Sequence, residues 1–285
     1  MAQRVAWILN LDAEEELATG DGYRASASLA RILARHRPTA ARALLAPGDV
    51  LVEPGVRLPA GDWLGRCWCP TPLARAQLRA AGAVPEPAPD VAVLRAANER
   101  ALVLRLGQTL EGAAFLSDSV AVCEHLDAAP AGTRWLLKRN LGAAGRGQRV
   151  VSAGLWGAAD ESWLAGALGC GGVQVEPLMS LDVEYVLHGW IPQRGPARLG
   201  ETLVQETSRG SWRRTRPAEA GELSSGDAQR ILAEGERAAA ALTAVGYFGP
   251  FGMDAYRYRE RSGGRALNPS SEINARYTMG WAVEC

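Results

Sequence analysis

The residues best suited to chemistry stand late in the chain: Asp254, Glu272, Asn274 and Arg276. Asp254 opens a run that reads as a strand, Ser262-Gly263-Gly264 as a polar hairpin turn, and the return segment ends in Glu272-Ile-Asn-Ala-Arg276. Side chains at i, i+2 and i+4 of an extended segment share a face. Glu272, Asn274 and Arg276 therefore point one way, and a hairpin sets Asp254 beside them. Two carboxylates, an amide oxygen and a guanidinium make a hard, oxygen-rich site of the kind that holds Mg²⁺ against phosphates. Singly, Glu272 or Asn274 would be an ordinary polar residue on the wet face of an edge strand. Their common phase, beside the apolar run Gly246 to Met253, favours a site.

A second candidate lies upstream. Trp135-Leu-Leu-Lys138 reads as a strand ending on the only lysine of the chain, and Gly142, Gly145 and Gly147 follow before Gln148 to Val151 resume an extended pattern. A Gly-rich hairpin tip lets backbone N–H groups approach phosphate oxygens, although many hairpins carry one. A lysine at a buried strand end needs an anion. There is no Gly-Lys-Ser/Thr and no following helix, so this is not a Walker A loop. The lysine precedes the glycines and no His-Arg-Asp or Asp-Phe-Gly occurs, which excludes the protein-kinase arrangement.

Asp254 followed by Glu272-Ile-Asn274-Ala-Arg276, with Lys138 and the Gly-rich tip upstream, resembles the ATP-grasp superfamily over roughly Asn98 to Gly280. The resemblance implies an α/β (α+β) fold that holds ATP between two α+β subdomains, preceded by a small α/β layer domain. It implies that Asp254, Glu272 and Asn274 bind Mg²⁺, one ion or two, with Mn²⁺ as a substitute. Lys138 and Arg276 then stabilise the transferring phosphoryl group. Glu176 and Gln174 serve the ribose and adenine, with Gln174 in place of a more usual acid. Arg100 stands near a first phosphate-contacting lysine of many members, with different geometry. Glu184, on an alternating stretch, faces either the nucleotide or solvent. The implied activity is ligation of a small-molecule or peptide carboxylate to an amine or other nucleophile through an acyl phosphate. A phosphotransferase or a non-catalytic nucleotide-binding module is the alternative.

Ser208 to Pro217 reads as a basic, aromatic-containing loop: a solvated turn, or a clamp in which Arg209, Arg213 and Arg214 grip a carboxylate or acyl phosphate. Lys plus Arg equals Asp plus Glu at 31 each, so no global field favours nucleic acid or an anionic membrane. Five scattered cysteines argue against a disulfide framework. No run approaches a membrane span or a leader, so a soluble, cytoplasmic protein is expected. His36, His125 and His188 have no Ser or Cys partner motif, which speaks against hydrolase chemistry, and each reads as structural.

The positioning elements follow from periodicity. Residues 1–89 read as a small α/β layer: a strand at Arg4 to Leu11, an acidic loop, a helix from Ser26 ended by Pro38, strands at Asp49 to Val52 and Arg66 to Cys69, and a helix capped by Thr71. Val84 to Pro89 reads as a stiff connector. Residues 90–285 form the rest, with Lys138 and the Gly-rich tip in 90–170, and the linker and metal hairpin in 171–285. The short stretch after Arg276 leaves either an exposed edge or a homodimer contact.

Overall fold

The computed structural model describes residues 3–142, 147–208, 211–260 and 263–281. Its first part contains β1 (Arg4–Ile8), α1 (Ala13–Thr19), α2 (Ala27–Leu44), β2 (Val50–Leu51), β3 (Trp63–Cys67), α3 (Pro72–Ala81) and β4 (Val84–Pro85). The strands form one parallel sheet in the order β2-β1-β3-β4.

Several local expectations are corrected here. Pro38 does not end α2, which continues to Leu44. Pro38 and Ala34 are both exposed, so water can serve the carbonyl that loses its donor, while buried Ala40 anchors the second half. The strand expected at Arg66 to Cys69 starts earlier, at Trp63, because Trp63, Gly65 and Cys67 alternate inward. Thr71 precedes α3 but its hydroxyl donates to Glu16 Oε2 at 2.6 Å, and Glu16 Oε1 accepts from Leu73 N at 2.9 Å. A carboxylate from α1 thus caps α3. The expected connector begins as β4, an edge strand that tolerates Pro85.

The chain continues through α4 (Val91–Asn98), α5 (Ala101–Arg105), β5 (Ala114–Leu116), α6 (Ser119–Asp127), β6 (Arg134–Arg139), β7 (Gln148–Ser152), α7 (Ala158–Leu168) and β8 (Val173–Pro177). These strands make an antiparallel sheet, β5-β8-β6-β7, over its own apolar cluster of Val122, Leu126, Leu137, Leu164 and Val175. Then come β9 (Ser180–Ile191), β10 (Arg198–Ser208), β11 (Ser211–Arg216), α8 (Ser225–Ala244), β12 (Gly249–Arg259) and β13 (Arg265–Asn274), giving a second antiparallel sheet in the order β11-β10-β9-β12-β13.

One face of this last sheet is core. Tyr185, Leu187, Phe251, Met253 and Ile273 pack there with Ile231, Ala238 and Leu242 of α8. Burying each large side chain contributes about 1.5–3 kcal/mol. The close approach needs Gly235, where a Cβ would lie 2.1 Å from Leu187 Cδ2. The opposite face is left for polar residues. Trp7, Leu9 and Leu17 of the first part join the same core, so the parallel sheet and the last antiparallel sheet share it. No helix among the described residues is long and apolar enough to cross a membrane. Cys67, Cys69, Cys123 and Cys170 are free thiols.

Candidate nucleotide and metal site

The polar face of the last sheet carries the residues singled out in the sequence. Asp254 on β12 lies directly opposite Glu272 on β13, and Gly252 opposite Asn274. Cross-strand partners share a face, so both carboxylates and the amide meet. Asn274 Nδ2 donates to Asp254 Oδ2 at 3.4 Å. Burial, and then the neighbouring Glu272 charge, push the Asp254 carboxyl above the usual carboxylate range. Glu272 goes the other way: burial raises it, but Arg100 and Lys138 together hold it down. Glu184 on β9 is on this face too, opposite Tyr256, and accepts from Thr207 Oγ1 at 2.6 Å.

The facing antiparallel sheet supplies the other half. Lys138 on β6 lies opposite Gln174 on β8. Lys138 Nζ pairs with Glu176 Oε1 at 2.6 Å, and Gln174 Nε2 donates to Glu176 Oε2 at 2.8 Å. All three are buried, and Gln174 Oε1 has no partner among the described residues. Glu176 on β8 also raises the phenol of Tyr256 on β12, after burial.

Arg100 joins the halves. Its Nη1 donates to Glu272 Oε2 at 2.8 Å, its Nε to Arg139 O at 2.8 Å and its Nη2 to Gly142 O at 3.0 Å. Arg100 N donates to Asn140 Oδ1 at 3.1 Å. Gly147 takes φ 72°, a left-handed conformation that favours glycine, and its carbonyl accepts from Arg139 N at 2.8 Å. Gly145 lies outside the described residues, as does Arg209.

Arg276 is placed differently from a group aimed at phosphate. Its Nε donates to Glu14 Oε1, its Nη2 to Asn274 Oδ1 at 2.8 Å and its Nη1 to Tyr277 O at 3.1 Å, and it stacks over Trp68 at 5.2 Å. The basic loop is also corrected: Ser211–Arg216 is β11, an edge strand paired with β10. Glu206 opposes Arg214 and accepts from its Nε at 2.7 Å and its Nη2 at 2.8 Å, while Arg213 is exposed. Pairing with β10 makes a strand where a basic, aromatic-containing loop was expected.

Three site residues had no assigned role in the sequence. Glu14 comes from the acidic stretch after β1. Asn98 donates to Ala275 O at 3.4 Å and accepts from Ala275 N at 2.9 Å, fixing the end of β13. Asn140 orients Arg100. Asn98, two residues before Arg100, and the acidic stretch that holds Glu14 offered the signals. With Arg100, Gly142, Gln174, Glu272 and Asn274, Glu14 and Asn98 close around a void of about 10 Å³.

Arg100, Lys138 and Arg276 face Glu14, Glu176, Glu184, Asp254 and Glu272, so carboxylates outnumber cations. Asp254 has no ion-pair partner among the described residues. No cluster of three His, Cys, Asp or Glu ligands occurs among them either. Two carboxylates and an amide fit Mg²⁺, which keeps waters and takes phosphate oxygens.

Three sheets in this order, with a polar cleft between the two antiparallel ones, define a class: the chain has the ATP-grasp fold. It superposes on N5-carboxyaminoimidazole synthetase from Staphylococcus aureus complexed with ADP with a TM-score of 0.52 at 11% identity, covering 98% of this chain and 72% of that one. It also superposes on D-alanyl-alanine synthetase A from Vibrio cholerae (TM-score 0.50, 12% identity, 96% and 89% covered). A third is N5-carboxyaminoimidazole ribonucleotide synthetase from Thermus thermophilus (0.50, 16% identity, 96% and 71% covered). No protein-family model matches the sequence, and no curated protein matches it.

Proposed function

We propose that this chain is an ATP-dependent ligase that joins a carboxylate to an amine or other nucleophile through an acyl phosphate, releasing ADP and phosphate. One observation carries the reading: Asp254 and Glu272 oppose each other beside Asn274, across the cleft from Lys138, Gln174 and Glu176. The ADP complexes among the structures of like fold support a nucleotide in that cleft.

Asp254, Glu272 and Asn274 would hold Mg²⁺, and the ion supplies charge neutralisation for the β,γ-phosphates. Lys138 and Arg100 exchange their internal carboxylate partners for phosphate oxygens, with Gly142 and Gly147 beside them. Glu176 and Gln174, with its unused Oε1, take the ribose and the adenine edge. Glu184 faces the nucleotide. Arg276 acts through Asn274, which it orients. Arg213, exposed, and Arg214, once freed from Glu206, grip the carboxylate substrate. Residues 1–89 form a preceding domain and 90–285 the grasp.

Calorimetry with ATP, with and without Mg²⁺, tests the reading. Saturable Mg-dependent binding is expected. No saturable binding at millimolar nucleotide removes it.

A further inference from the structure

The polar face of the last sheet extends past Asp254. His188 on β9 lies opposite Gly252, and Val186 opposite Asp254, so His188 and Asp254 point to the same side. His188 is 1% exposed, and neither ring nitrogen has a hydrogen-bond partner among the described residues. Residues 275–281 strap this end of the face. Tyr277 N donates to Trp68 O at 3.0 Å, and Thr215 Oγ1 on β11 donates to Met279 O at 3.5 Å. Between those anchors Thr278 sits on Gly252, where a Cβ would lie 2.7 Å from Thr278 Cγ2. Thr278 Oγ1 is buried and likewise unpartnered among the described residues. Trp281 covers His188 with ring centroids 5.2 Å apart, and Tyr277 stands edge-on to Trp281 at 5.2 Å.

Buried polar atoms without partners are uncommon, because leaving them unmade costs stability. Here an imidazole and a hydroxyl are both unused on one patch, one residue pair from the Asp254–Glu272 step. Each offers a lone pair, and the aromatic rings over them favour positive charge. A ligand matching both is a primary ammonium group. We propose that His188 and Thr278, under Tyr277 and Trp281, form the subsite that takes up the amine substrate. This rests on the ligase reading above.

The chain has three histidines, so the His188 imidazole ¹⁵N signals are assigned by their loss in His188→Gln. Titrating the intact protein with methylammonium chloride, against sodium chloride at equal ionic strength, should shift the His188 signals saturably. Thr278→Val should weaken that response about tenfold, the value of one charged hydrogen bond. A response no larger than with sodium chloride overturns the proposal, as does one unchanged by Thr278→Val. His188 signals that report a bound water which methylammonium does not displace overturn it too. Mg-ATP calorimetry on the same sample separates the two readings. Binding of Mg-ATP without methylammonium sinks only the subsite, and methylammonium binding without Mg-ATP sinks the ligase.

Discussion

Glu14 and Arg276 stand 262 positions apart and form a buried ion pair, while Arg276 Nη2 holds Asn274 Oδ1 at 2.8 Å. The parallel sheet's first helix therefore sets the orientation of a proposed metal ligand. Removing one partner of such a pair leaves a buried charge and costs about 3–5 kcal/mol. Glu14→Ala should lower stability by that amount in urea unfolding and weaken Mg²⁺ binding in calorimetry. An unchanged Mg²⁺ affinity would separate Arg276 from the site.

Glu272 should matter more to catalysis than to binding. Glu272→Gln keeps size and hydrogen bonding to Arg100 but removes charge where a cation must sit as the phosphoryl group moves. ADP release should fall by about 10²-fold or more, with ATP affinity changed far less. Asn274→Asp adds a charge and should shift the Mg²⁺ against Mn²⁺ preference. Parent-like activity of Glu272→Gln at ordinary Mg²⁺ would move the ligands elsewhere.

Lys138 has a structural as well as a binding part, because Glu176 neutralises it in a buried pair with side chains 8% and 5% exposed. Lys138→Ala should abolish ATP binding and also destabilise, by leaving Glu176 unpaired. Lys138→Met with Glu176→Gln should recover stability and still fail to bind ATP. Recovery of ATP affinity in that double variant would make the pair purely structural.

His188 predicts a pH signature of stability. Burial pushes its imidazole down to about 4, from an ordinary value near 6.5. Below about 6.5 the unfolded chain takes up the proton and the folded chain does not until about 4. Stability is thus fully present above that window and falls through it with acidification, by about 3 kcal/mol in all. His188→Phe should flatten this part of the slope in urea unfolding at about pH 7, 5.5 and 4.5. Equal slopes in parent and variant would place the imidazole in water.

Much of this was legible in residue order. Lys138 before its glycines, and Asp254 before Glu272-x-Asn274, gave the class of fold and named groups that the structure gathers in one cleft. Arg276 and Arg214 show what spacing could not give. Arg276 was in phase with Asn274, yet its fork is filled by Glu14, a residue with no sequence relation to it. Arg214 looked free in a loop because Glu206, which binds it, becomes its neighbour only when β10 and β11 pair. Pro38 read as a stop because sequence does not say which carbonyls face water.

The strap over the last sheet also fixes an order of events during synthesis. Glu14 leaves the ribosome on the order of tens of seconds before Arg276, at roughly 5–20 residues per second. Until residues 275–281 arrive, Trp7 and Trp68 have no Tyr277 or Arg276 to lie against. The parallel sheet must wait with an uncovered aromatic edge for a segment translated some 262 positions after Glu14. The nascent chain is then an apolar target for holding chaperones while the residues between them are made.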